Sequence, residues 1–128
     1  MSKLKLMFPQ EVEHWYVLPA IRREFALALM NNGLSQKKAA SLIGVTEAAI
    51  SNYKKEKRAT TLELEKEIKS KINAAARRIL NNKSSLFEEM MKIDYILKKK
   101  GIFCRIHMAN WEKIKGCESV CKKTFFRR

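Results

Sequence analysis

Three cysteines and one histidine crowd the last quarter of the chain as Cys104-Arg-Ile-His107 and Cys117-Glu-Ser-Val-Cys121. Thiols and imidazole are soft ligands, and four of them within so short a stretch suggest a metal site. The C-x2-H half lets both side chains turn onto one ion, whereas C-x3-C suits a helical turn as well as the edge of an iron–sulfur cluster. Two other readings use the same residues. The cysteines can be small buried hydrophobes with His107 at the surface, and Cys117 and Cys121 are close enough in sequence to consider as a disulfide. A nucleophilic Cys104 or Cys121 with His107 as its base would be an enzyme's arrangement. No Gly-rich phosphate loop, carboxylate pair or metalloprotease motif accompanies the thiols, so no enzyme is expected.

A second constellation lies nearer the N-terminus, where polar Thr46, Ser51 and Asn52 are followed by the basic run Lys54, Lys55, Lys57 and Arg58. Lys and Arg total 27 against 13 Asp and Glu, a net charge of +14 over 128 residues, and the excess is spread along the whole length. Such a field favours a polyanionic partner through counterion release, nucleic acid first among them. Apolar runs such as Phe25 to Met30 fall far short of the ~20 residues that cross a bilayer. The first residues, MSKLKLMFPQ, lack the apolar stretch and cleavage site of a secretory signal. A cytoplasmic protein with no membrane partner is the expectation.

Four glycines and two prolines punctuate the sequence, and no β-branched run alternates with period two, so the fold class read here is all-α. Pro19 suits the first turn of a helix from about 19 to Met30, with Ile21, Phe25, Ala28 and Leu29 at helical spacing and Asn32-Gly33 as its stop. Phe8, Val12, Trp15 and Tyr16 predict a short apolar element before it. Ser35 and Thr46 are N-caps for two short helices, and Gly44 between them suits the tight turn. From Leu62 to about Leu80, Ile68, Ile72, Ala75 and Ile79 draw one apolar stripe, broken at Asn81-Asn82. Beyond Ser84 or Ser85, Leu86, Met90, Ile93 and Leu97 draw another up to Gly101. The segment from Ile102 onward reads as a short irregular tail carrying every cysteine.

Within QKKAASLIGVTEAAISNYKK each apolar choice has a steric reason. Two helices crossing steeply need a small side chain, Ala40, where the backbones approach. Gly44 tolerates positive φ, and Val45, Ile50 and Tyr53 seat the second helix on the core. LSQKKAASLIGVTEAAISNYKKEKR therefore resembles the lambda-repressor/Cro-like helix-turn-helix family. The resemblance implies a recognition helix from Glu47 to about Lys55 in the major groove of a double-stranded operator. Thr46, Glu47, Ala48, Ser51 and Asn52 are then the base-reading candidates: Asn52 for an adenine, Glu47 for a cytosine amino group, Ala48 for a thymine methyl. Gln36, Lys37 and the cluster Lys54, Lys55, Lys57 and Arg58 are the candidates for phosphates.

The whole chain, from VLPAIRR through the helix-turn-helix to GIFCRIHMANWEKIKGCESVC, is similar to a group of archaeal transcriptional regulators with a C-terminal cysteine cluster. That group carries an additional C-x2-C pair, for which this sequence has Met91 and Asp94. The resemblance implies an iron–sulfur cluster on Cys104, Cys117 and Cys121 with His107, Asp94 or an external group as fourth ligand. Structural zinc on the three thiolates and His107, or no metal, are the alternatives. The organisation expected is a DNA-binding domain over 1–60, a helical hairpin over 61–100 that pairs two subunits into a homodimer, and a cysteine/histidine module over 101–128. An antitoxin-like or adaptor protein anchored by Trp111, Phe125 and Phe126 is the competing reading. No small-molecule substrate is expected.

Overall fold

The computed structural model describes residues 6–55 and 62–126. Every regular element among them is helical: α1 (Pro9–Val12), a π-helical turn (Glu13–Val17), α2 (Leu18–Asn31), α3 (Gln36–Ile43), α4 (Glu47–Lys55), α5 (Lys66–Leu80), α6 (Leu86–Lys99), α7 (Ile102–Asn110) and α8 (Cys117–Lys123).

The first three segments form one unbroken helical run, with Glu11 accepting the Phe8 N–H at 3.1 Å at its start. Pro19 explains the wide turn in the middle. A proline inside a helix removes one hydrogen bond and crowds the carbonyl four residues back, here that of Trp15. The π-turn ends with the Leu18 N–H bonded to the Glu13 carbonyl, a looser ladder just where the ring must fit. Met7, Val12 and Val17 are buried, whereas Phe8 and Trp15 are exposed, so the apolar N-terminal element packs through Val12 as expected, but through Met7 and Val17 rather than Phe8 and Trp15.

One apolar core runs from Met7 to Phe103, with Ile21, Phe25 and Leu29 of α2 facing Ile68, Ile72, Ala75 and Ala76 of α5. Ile93 and Leu97 of α6 close it, and Ser85 caps that helix by accepting the Glu88 N–H at 3.1 Å. Asn82, at φ 58°, lets the Lys83 N–H reach back to the Arg78 carbonyl at 2.9 Å, which satisfies the end of α5 before the chain turns. Arg78 then grips the buried Glu89 carboxylate through two bonds of 2.9 Å.

Two expectations are corrected. The helix read from Leu62 starts at Lys66, because Leu64 is buried and Glu63 is held by Arg23 at 3.2 Å and by Lys69, pinning that stretch as an extended strap. The tail read as irregular contains α7 and α8. Phe103 seats α7 in the core, edge-on to Phe125 and Phe126 with ring centroids 5.2 and 6.4 Å away.

Candidate nucleic-acid interface

The helix-turn-helix is built from local signals that all act in the same direction. Ser35 accepts the Lys38 N–H at 3.2 Å and Thr46 accepts the Ala49 N–H at 3.0 Å, so both helices start on a hydroxyl cap. Gly44 stands at φ 81°, a left-handed position that costs other residues ~1 kcal/mol or more. That conformation brings the Val45 N–H to the Ala40 carbonyl at 3.0 Å. Ala39 and Ala40 are buried against the neighbouring helices and Ile50 is fully buried, with Val45 and Tyr53 packed on the core.

With Ile50 and Tyr53 facing inward, Glu47, Ala48, Ser51, Asn52 and Lys55 fall on the opposite face of α4, since positions three and four apart stack along a helix. Glu47, Ala48, Asn52, Lys54 and Lys55 are exposed and Ser51 is half-buried; Lys37 and Thr46 are exposed as well. Lys57 and Arg58 lie outside the described residues.

Gln36 has a role that its residue type alone did not disclose. Its amide N–H groups bond the Glu47 carbonyl at 3.2 Å and the Ser51 hydroxyl at 2.9 Å, while its carbonyl accepts from Lys54 Nζ at 2.9 Å. The first residue of α3 thus braces three points of α4 and fixes how far that helix projects. Gln36 positions the outward face of α4, and Ser51 is engaged with it. A polar residue opening the first helix, eleven to eighteen residues ahead of polar partners, was the only signal available. Thr46 Oγ is committed to its cap, which leaves its O–H to donate.

A second cluster of candidates lies apart from this face. Cys104, His107, Cys117 and Cys121 all line one cavity between α7, α8 and the N-terminal residues Met7 and Pro9. All three cysteines are free thiols. Burial pushes the Cys104 and Cys121 thiols above their ordinary range, and the neighbouring Cys117 adds to both shifts. His107 Nε2 stands 2.9 Å from the Met7 carbonyl. Since a carbonyl only accepts, Nε2 carries the proton. In kind, three thiols and an imidazole suit zinc or an iron–sulfur cluster. In position they do not: among the described residues no three His, Cys, Asp or Glu side chains form a group able to hold a metal ion. Asp94, the other candidate ligand, faces Lys98 at 3.4 Å instead, and it neighbours Glu13, whose carboxyl is raised to about 7 by burial and by the bond to Asp94.

Trp111, Phe125 and Phe126 are half-buried and packed against the core, with Trp111 edge-on to Tyr16 at 5.8 Å. No described helix is long and apolar enough to cross a membrane.

Neither a curated protein nor a solved structure matches the chain. A family model does: residues 26–67 match the family described as helix-turn-helix, a span that holds the end of α2, all of α3 and α4, and the strap before α5. The capped helix pair, its left-handed glycine turn and this match agree that the chain carries a lambda-repressor-like helix-turn-helix domain of the kind found in DNA-binding regulators.

Proposed function

We propose that the protein is a sequence-specific transcriptional regulator that inserts α4 into the major groove of an operator and acts as a homodimer. The observation that carries this is the outward face of α4: Glu47, Ala48 and Asn52 are exposed side by side on a helix locked by Ile50 beneath and Gln36 at its side. Asn52 reads an adenine through its amide, and Ala48 meets a thymine methyl. Glu47 is favoured at its helix N-terminus by the dipole and accepts a hydrogen bond from a cytosine amino group. Lys37, Lys54 and Lys55 flank this face and neutralise phosphates, which sets register without reading sequence.

Dimerisation rests on a narrower base than two apolar stripes. Those of α5 and α6 are largely covered within one protomer. What remains uncovered on α6 is Phe87 and Met91, one turn apart and both exposed. Two-fold operators supply the other reason, because paired recognition helices meet half-sites one helical turn apart. The adaptor reading is weaker, since its aromatic anchors Trp111, Phe125 and Phe126 already pack on the core. No step of this reading runs through an iron–sulfur cluster or zinc, since among the described residues no three of the candidate side chains form a group able to hold a metal ion.

Selection of bound duplexes from a random pool, followed by footprinting, tests the reading. Enrichment of one motif as inverted half-sites about 10 base pairs apart is the expected result. A single enriched half-site would remove the dimer, and no enrichment would remove sequence-specific recognition.

A further inference from the structure

The cavity at the C-terminal end has a chemistry that the DNA-binding face does not use. Its volume is about 240 Å³, and its walls are Met7, Pro9, Phe103, Met108, Ile114 and Phe126, joined by the three thiols and His107. Thiols contribute as small polarizable groups and leave such a wall apolar. An apolar cavity of roughly 150 Å³ accepts benzene, so this one has room for about two fused rings. Charge is confined to the rim. There Lys113 is taken up by Glu118, whereas Lys122, also lining the cavity, makes no ion pair among the described residues. An apolar slot beside the Lys122 ammonium group, whose acidic neighbour Glu118 is already bonded to Lys113, on a protein of net charge +14, complements a flat molecule bearing one negative charge.

We propose that the cavity between α7, α8 and the start of α1 is a binding site for a small aromatic carboxylate, its rings among Phe103, Ile114 and Phe126 and its carboxylate toward Lys122.

The position gives such a ligand a way to matter. Pro9 opens the helical run that continues to Asn31, with Met7 just ahead of it, and α2, the last part of that run, packs on α3 and α4. His107 ties α7 to the same N-terminal segment through the Met7 carbonyl. An occupant therefore touches the helix that carries the DNA-binding unit. That consequence rests on the DNA-binding reading; occupancy itself does not, and titrations without DNA test it separately.

The experiment titrates the full chain calorimetrically with naphthalene-2-carboxylate and with its neutral counterpart 2-naphthol. Three proteins are compared: wild type, Lys122→Ala and Met108→Trp, the last filling the slot from an exposed position. Circular dichroism confirms that each remains helical. Both compounds should bind the wild type with the carboxylate tighter. Lys122→Ala should weaken the carboxylate about fivefold, the scale of one exposed ion pair, without changing 2-naphthol, and Met108→Trp should weaken both tenfold or more. Absence of carboxylate binding at millimolar concentration would overturn the proposal. So would binding that survives Met108→Trp, which would place the compounds elsewhere, or an equal loss of both compounds in Lys122→Ala.

Discussion

In the α3–α4 pair each helix begins on a hydroxyl cap, the turn between them holds a left-handed glycine, and Gln36 braces one helix to the other. In the α7–α8 pair neither helix has a side-chain cap, each is preceded by a left-handed glycine, and α8 buries no residue at all. The first pair is specified by its own sequence and then locked by packing. The second is held at one anchor, Phe103, and by the aromatic edges around it. A recognition helix has to present its side chains in one fixed geometry, and a cavity wall tolerates adjustment, so the two constructions suit the two roles assigned here.

The largest difference between these pairs should appear on truncating their side chains. Ile50→Ala removes a fully buried side chain beneath α4 and is expected to cost about 3 kcal/mol. Val120→Ala on the exposed side of α8 should stay within about 0.5 kcal/mol. Urea unfolding of both variants makes the comparison, and similar losses would show that the pairs are equally packed.

Next in size is the clamp between α5 and α6. Arg78→Ala leaves the Glu89 carboxylate, only 1% exposed, without the guanidinium that bonds both its oxygens, and should lower the urea midpoint near neutrality. The guanidinium holds Glu89 down to about 2 from an ordinary 4.5, so this stabilisation is complete above pH 4.5 and disappears as pH falls through about 2. Wild type should therefore lose stability over that acid window more steeply than the variant. Parallel acid titrations of the two would contradict the clamp.

A smaller effect of opposite sign belongs to Glu13 in the π-turn. Burial and the Asp94 neighbour raise it from 4.5 to about 7, so its contribution is complete below pH 4.5 and declines as pH rises through 7. Between pH 5 and pH 8 the wild type should lose on the order of 1–2 kcal/mol that Glu13→Gln does not. Denaturant midpoints at the two values decide it, and an equal decline in both proteins would assign the effect elsewhere.

The smallest change is expected from replacing Cys104, Cys117 and Cys121 together with serine. None of them belongs to the buried core that seats α2, α3 and α4, so stability should shift by no more than about 1 kcal/mol and duplex affinity should not change. Loss of DNA binding in the folded variant would show that the C-terminal pair controls the other.

The helix-turn-helix was legible because its signals are local: Ser35, Gly44 and Thr46 each act within four residues of themselves, and Ile50 and Tyr53 repeat at helical spacing. The stripes Ile68, Ile72, Ala75, Ile79 and Leu86, Met90, Ile93, Leu97 were legible for the same reason, but not what covers them. The apolar face of a helix looks alike whether it meets its own chain or another. Leu64, Glu63 and Arg23 were opaque because the strap is fixed by a bond between residues 40 apart. The α7 and α8 helices escaped notice because Gly101 and Gly116 at their starts offer no cap. The cavity depends on His107 meeting the Met7 carbonyl across 100 residues, and no spacing rule reaches that far.

The proposal that α4 reads base edges is tested by a pair of titrations on duplex DNA. Wild type and Asn52→Ala are titrated by fluorescence anisotropy against the duplex recovered by selection and against a random duplex of equal length, at one salt concentration. Asn52 is exposed on the outward face of α4 and has no structural bond among the described residues, so its truncation should leave the fold intact. A loss of ~1–3 kcal/mol on the selected duplex and none on the random one is expected. Equal losses on both, or no loss on either, would contradict it.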